Sequence, residues 1–138
     1  RTNQRGARLE GVLVQEMAKG GIEAILGVTN DPLFGPAVMF GLGGIFAEVL
    51  KDVSFRLAPV TASVARDMVE EIAGYPVLAG ARGRPRADVD ALVNAIVHLS
   101  ALAVDLKDHV AELDINPLFV FAEGKGVKAA DALIRPKR

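Results

Sequence analysis

The sequence predicts an α+β fold in which a mainly antiparallel sheet carries two helices on one face. Short β-rich runs occupy both ends of the chain, and two segments with helical periodicity lie between them. The 138 residues are 51% apolar, which is enough chain and enough apolar surface to bury one core. We expect residues 1–9 to be a flexible arm or a linker remnant and residues 10–138 to form one lobe.

The first strands of the predicted sheet precede residue 60. The runs Gly11–Met17 and Ile22–Val28 are β-rich, and the glycines between them indicate a turn that joins two strands. Further apolar runs follow at Pro36–Phe40, Ile45–Leu50 and Val53–Leu57. These segments supply the first half of the sheet.

Two helices are predicted in the middle of the chain. Thr61 or Ser63 can cap the first, whose apolar residues recur at helical spacing until Gly74 stops it. The second runs from about Ala87 to Asp105 and presents a broad apolar face. Both helices can therefore pack on one face of the sheet.

The clearest strand, Val110–Phe121, leads into a predicted hairpin. Side chains alternate along a strand, so Glu112, Asp114 and Asn116 share one face. A two-residue turn at Glu123-Gly124, followed by a returning strand over 127–134, places Asn116 opposite Asp131.

The pair formed by Asn116 and Asp131 has the chemistry of a magnesium site. A carboxylate and an amide oxygen are hard ligands, and Mg²⁺ is usually held by one or two carboxylates together with substrate phosphates. The alternative is a solvated edge without a metal, and a one-residue slip would move Asp131 to the other face. The segment Gly41-Leu42-Gly43-Gly44 similarly reads as an anion-binding nest or as an ordinary tight turn.

Composition excludes several classes of site and partner. The chain has no Cys, which rules out disulfides, zinc–thiolate sites and thiol catalysis and suits a reducing cytoplasm. With a net charge of −1, the chain has no overall positive field that would attract nucleic acid or an anionic membrane. No apolar run approaches the roughly 20 residues of a membrane span. Because the chain begins with Arg1, we expect it to be a piece of a longer protein.

The runs VLVQEMAKGGIEAILGV, GPAVMFGLGGIFAEV and ELDINPLFVF together resemble the ATP-grasp domain of the NDP-forming acyl-CoA synthetases. The resemblance covers nearly all of residues 10–136, and its most specific parts are GLGGIFAEV and DINPL. It implies the C-terminal lobe of an ATP-grasp fold, with ATP or ADP and Mg²⁺ as cofactors.

The resemblance also implies roles for individual residues. The hinge that hydrogen-bonds adenine in this family corresponds to Gln15, Glu16, Met17 and Ala18, and the acidic residue that binds the ribose corresponds to Glu23.

Asn116 and Asp131, which the hairpin already places together, correspond to the family's Mg²⁺ ligands. Asp114 corresponds to the acidic residue that assists phosphohistidine transfer, a position where succinyl-CoA synthetase-like relatives have Glu.

The implied function is that of the nucleotide- and Mg-binding lobe of an ADP-forming acyl-CoA synthetase. Such an enzyme reversibly converts acyl-CoA, ADP and phosphate into a carboxylic acid, CoA and ATP, using a phosphohistidine on another domain. The expected partners are the rest of the parent chain, namely the first ATP-grasp lobe, the CoA-binding domain and the phosphohistidine domain. The lobe alone should be inactive, and a homodimer is plausible because the missing lobe would leave apolar area uncovered.

Two alternatives stay open from the sequence. The same lobe occurs in fused protein lysine acetyltransferases, where it would sense a ligand rather than turn one over. The second alternative is a non-catalytic interaction module whose acidic hairpin is only solvated.

Overall fold

A six-stranded antiparallel sheet organises the computed structural model, which describes residues 6, 8, 10–44 and 50–138. The strands are β1 (Ile22–Asp31), β2 (Gly35–Leu42), β3 (Val53–Leu57), β4 (Val110–Val120), β5 (Val127–Ala129) and β6 (Ala132–Pro136). The helices are α1 (Ala62–Glu71), α2 (Tyr75–Leu78) and α3 (Val89–Asp105), and a 3₁₀ turn spans Ala81–Gly83.

The strands lie in the order β3-β2-β1-β4-β5, and β6 pairs with β4 beside β5. Every pairing is antiparallel, so the predicted α+β class is confirmed. The long strands β1 and β4 pair with each other in the middle of the sheet. The centre of the sheet is therefore built from segments that are far apart in the chain.

One face of the sheet is covered by helices and forms the core. Leu26, Phe40 and Val120 of the sheet are at most 1% exposed, as are Leu92 and Ile96 of α3. Burying a large apolar side chain contributes about 1.5–3 kcal/mol, so this face carries most of the stability. We call the opposite side, which no described helix covers, the open face.

Ser54 and Ser100 are buried in this core, and the hydroxyl group of each is hydrogen-bonded. The Ser54 hydroxyl on β3 donates to the carbonyl of Met68 on α1 at 2.9 Å. The Ser100 hydroxyl on α3 donates to the Val97 carbonyl at 2.8 Å and accepts from the Val60 amide at 3.1 Å. The helices are thereby tied to the segments beside them.

Both long helices begin at a capping side chain. Thr61 Oγ1 accepts from the Val64 amide at 3.2 Å, which confirms it as the cap of α1. Asp88 caps α3 through the Ala91 amide at 3.1 Å. Such caps satisfy amide donors that the first helical turn leaves without partners.

The predicted strand over 11–17 is wrong: no strand is found there, and residues 11–17 are exposed. β1 already has β2 on one side and β4 on the other, so it has no free edge for an additional strand. Between the two predicted helices the structure also contains α2 and the 3₁₀ turn, which lie within residues 75–83 and carry no helical periodicity in the sequence.

Two further predictions fall largely outside the described residues, namely the arm over 1–9 and the apolar run Ile45–Leu50. Across the described ranges, no helix combines the length and the apolar content needed for a membrane crossing.

Candidate functional site

Acidic side chains gather on the open face of the two central strands. Asp114 on β4 pairs with Gly27 on β1, while Glu112 pairs with Thr29. Glu23 lies near the start of β1 and pairs with Phe119. Glu23 and Asp114 are exposed. The expected common face of Glu112 and Asp114 is therefore found, and Glu23 joins it from the neighbouring strand.

Glycines lie directly against two of these acidic side chains. A Cβ added at Gly27 would lie 3.1 Å from Asp114 Oδ1, and one added at Gly43 would lie 3.1 Å from the Glu23 Cβ. The Gly43 amide also donates to the Glu23 carbonyl at 2.8 Å. On the open face, Asp114 and Glu23 therefore lie close to positions 27 and 43, where glycine leaves no side chain in the way.

The hairpin brings Asn116 and Asp131 opposite each other, as the two-residue turn predicts. The Asn116 amide donates to the Asp131 carbonyl at 3.1 Å, and the pairs on either side keep the same register. Asp131 lies in the short gap between β5 and β6. Asn116 lies where the β1–β4 register shifts, so both residues stand at interruptions of regular pairing.

The donor set at this position suits a magnesium ion. Asp131 Oδ1 accepts from the Ala132 amide at 2.9 Å, which uses one of its two carboxylate oxygens. Among the described residues, no group of three or more His, Cys, Asp or Glu side chains could hold a metal ion. A metal held here would rely on few protein oxygens, which is the usual arrangement for Mg²⁺ with a phosphate ligand.

The segment predicted as the adenine hinge, residues 15–18, forms neither a helix nor a strand. Glu16 forms an ion pair with Lys128 of β5, with 2.7 Å between Oε2 and Nζ. The hydrogen bond from Lys128 lowers the pKa of Glu16, and the charge of Lys128 adds to the effect. Gln15 and Met17 are exposed, and Ala18 is half-buried.

A groove of about 570 Å³ opens beside this segment, at the start of β1. Its lining includes Ile22 and Phe121 together with three basic residues, Lys19, Arg84 and Lys125. The groove is therefore mainly apolar with basic residues among its lining, which distinguishes it from the acidic open face.

Sequence reasoning missed Gly27 and Lys128. A lone glycine within a strand pattern signals a close approach by another group, and Gly27 carries that signal. Lys128 offers no comparable signal, because its pairing with Glu16 depends on contacts between distant segments.

The protein-family model described as the ATP-grasp domain matches residues 1–135 of this chain. The chain belongs to the ATP-grasp domain family. This confirms the resemblance stated from the sequence, and with it the assignment of an α+β lobe.

Curated relatives of this ATP-grasp chain are ligases. The β subunit of acetate–CoA ligase [ADP-forming] II from Pyrococcus furiosus is 53% identical over 128 residues, which are 93% of this chain and 54% of that subunit. The 4-hydroxybutyrate–CoA ligase [ADP-forming] of Nitrosopumilus maritimus is 47% identical over 93% of this chain and 18% of its own length. The ATP-grasp chain thus spans about half of the first relative and less than a fifth of the second.

A solved structure has the same fold. The dinucleotide-forming acetyl-coenzyme A synthetase 1 of Ca. Korarchaeum cryptofilum, in complex with coenzyme A and Mg-AMPPCP, has a TM-score of 0.83 and 41% identity. The match covers 89% of this chain and 56% of that one. These relatives favour the synthetase reading over a fused acetyltransferase or a non-catalytic module.

Proposed function

We propose that this ATP-grasp lobe holds the nucleotide and the Mg²⁺ of an ADP-forming acyl-CoA synthetase. The cross-hairpin register of Asn116 and Asp131 carries the proposal, because residues opposite each other on one hairpin share a face and both side chains have hard oxygen ligands, in a chain of this family. The identity to acetate–CoA ligase subunits supports the reaction class.

The remaining residues take roles that fit their positions. The backbone of residues 15–18 hydrogen-bonds the adenine, and Glu23 on the open face accepts hydrogen bonds from the ribose hydroxyls. The Asn116 amide oxygen and the Asp131 carboxylate hold the Mg²⁺. When bound, this ion neutralises the phosphate charge that builds up during phosphoryl transfer.

Asp114 acts on the incoming phosphohistidine. A carboxylate that accepts a hydrogen bond from an imidazole N–H orients the ring and stabilises its charged form. Because Asp114 is exposed on the open face, a loop from another domain can reach it.

The complete reaction needs parts beyond this lobe. In the parent synthetase, acyl-CoA, ADP and phosphate are interconverted with carboxylic acid, CoA and ATP. The first ATP-grasp lobe, the CoA-binding domain and the phosphohistidine domain supply the remaining contacts, so we expect the lobe alone to bind nucleotide without turnover.

The metal ligands can be tested by titrating ADP into the ¹⁵N-labelled lobe and following amide shifts by NMR, with and without Mg²⁺. We expect the variant Asn116→Ala/Asp131→Ala to weaken Mg-ADP binding by roughly tenfold or more, equivalent to about 1.4 kcal/mol. Removing Mg²⁺ with EDTA should weaken wild-type binding to a similar degree and leave the variant nearly unaffected.

The matched control is Asn94→Ala/Asp108→Ala, which removes the same residue types from exposed positions on α3 and in the turn after it. This control should bind Mg-ADP like the wild type. Equal affinities of wild type and the Asn116/Asp131 variant, each independent of Mg²⁺, would contradict the assignment.

A further inference from the structure

Gly27 lies near the centre of β1, which pairs with β2 on one side and β4 on the other. It pairs with Met39 on β2 and with Asp114 on β4. A Cβ at Gly27 would lie 3.1 Å from Asp114 Oδ1 and 3.4 Å from Met39 Cε. Gly27 is not among the glycines with positive φ, so crowding rather than backbone conformation disfavours a side chain there.

Asp114 has one paired neighbour on each side in the sheet, and its Oδ1 lies close to the neighbour on β1. On the β6 side it pairs with Leu133, which is 70% exposed near the sheet edge. On the β1 side its Oδ1 lies over the Gly27 backbone. The carboxylate is thereby directed towards the middle of the open face rather than towards the edge.

We infer that Gly27 is a positioning residue that sets the direction of the Asp114 carboxylate on the open face. The inference rests on the proposed role of Asp114 in phosphohistidine transfer. A methyl group at position 27 would lie 3.1 Å from Oδ1, which is closer than an ordinary contact, so the carboxylate must move away from β1 by a few tenths of an ångström. Because a misplacement of about 1 Å can cost two orders of magnitude in rate, a shift of this size should cost several-fold.

The steric part of this inference can be tested on the 138-residue chain by thermal unfolding of Gly27→Ala, Asp114→Ala and the double variant. We expect Gly27→Ala alone to lower the Tm by roughly 3–6 °C. In the Asp114→Ala background the same change should leave the Tm unaltered or raise it, because the contact is gone and Ala restricts the unfolded chain. An equal loss in both backgrounds would overturn the inference, since the crowding would then involve Met39 or the backbone.

The functional part needs the complete synthetase that contains this lobe. Gly27→Ala should lower kcat by about threefold or more while the KM for ADP changes less than twofold, and it should have no further effect in the Asp114→Ala background. The control is Ala65→Val, which crowds a fully buried position on α1, on the helix side of the sheet. It should lower the Tm without changing kcat at a temperature where both variants are folded.

A fall in kcat for Ala65→Val that equals the fall for Gly27→Ala would overturn the inference, because the effect would then follow stability alone. An unchanged kcat in Asp114→Ala would instead contradict the proposed role of Asp114. The Tm cycle would in that case still decide whether Gly27 directs the carboxylate.

Discussion

A single carboxylate, that of Asp88, ties the start of α3 to the turn of the β4–β5 hairpin. Its Oδ1 accepts from the Ala91 amide, and its Oδ2 accepts from the amides of Gly126 at 2.9 Å and Gly124 at 3.1 Å. These bonds lower the pKa of Asp88, with the Gly126 amide as the largest cause. The ionised form of this carboxylate is therefore the one that stabilises the fold.

We expect Asp88→Ala to lower the free energy of unfolding by about 1–2 kcal/mol at pH 7, because it removes a helix cap and the bonds to the hairpin turn. A depressed pKa contributes stability above the unfolded value of about 3.9, and that contribution disappears as the pH falls through the folded value. The difference in the free energy of unfolding between wild type and Asp88→Ala should thus shrink as the pH drops below about 4.

Circular dichroism melts at a series of pH values would measure this difference. Asp108→Ala is the control, since Asp108 is exposed in the turn after α3 and should give nearly wild-type melts at each pH. A difference for Asp88→Ala that stays constant down to pH 2 would show that the ionised carboxylate is not what stabilises the fold.

At the scale of elements, α3 is the helix whose packing holds the sheet. Ile96 is 1% exposed in the core, whereas Leu102 on the same helix is 42% exposed. We expect Ile96→Ala to destabilise the lobe by about 2–5 kcal/mol through lost burial and the cavity left behind. Leu102→Ala should cost less than about 1 kcal/mol.

Urea unfolding followed by far-UV circular dichroism would compare the two variants. The chain contains no Trp, so tryptophan fluorescence cannot report its unfolding. Similar midpoints for both would mean that α3 does not pack on the sheet as the structure describes.

Local patterns predicted the elements whose determinants lie close in sequence. The helical periodicity and the Thr61 cap gave α1, and the turn at Glu123-Gly124 gave the register of the last hairpin. The same turn predicts that Asn116 lies opposite Asp131, because the register of a hairpin follows from its turn length alone. The relative placement of these two candidate residues is therefore encoded by one turn.

The rest depends on contacts between distant segments. A β-rich run such as residues 11–17 becomes a strand only beside a free edge, and β1 has both edges occupied. The contact of Gly27 with Asp114 follows from the β1–β4 pairing, which no local pattern specifies. The ion pair of Glu16 with Lys128 is hidden from the sequence for the same reason.

At the scale of the whole molecule, exposed apolar side chains concentrate away from the helices. Phe55 and Leu57 of β3 are 56% and 54% exposed on the open face, and Val12 and Val14 are each 88% exposed in the segment before β1. Such side chains contribute little to folding, because they stay in contact with water.

We expect Val12→Ser/Val14→Ser to leave the Tm within about 2 °C of wild type, because exposed residues contribute little to folding. The same change should reduce any concentration-dependent self-association, which analytical ultracentrifugation would detect. Val120→Ser is the contrasting variant, since Val120 is 1% exposed and its replacement should lower the Tm strongly. A large Tm loss for the Val12/Val14 variant would contradict the exposed placement of this segment.

The alternation of side chains along β1 and β4 assigns two different tasks to neighbouring residues. Leu26 and Leu113 anchor the fold, while Gly27 and Asp114 next to them face the candidate site. Natural variation at every second position can then retune the chemistry of the lobe while the residues between conserve its architecture. This division offers a route by which one scaffold could diversify without first being rebuilt.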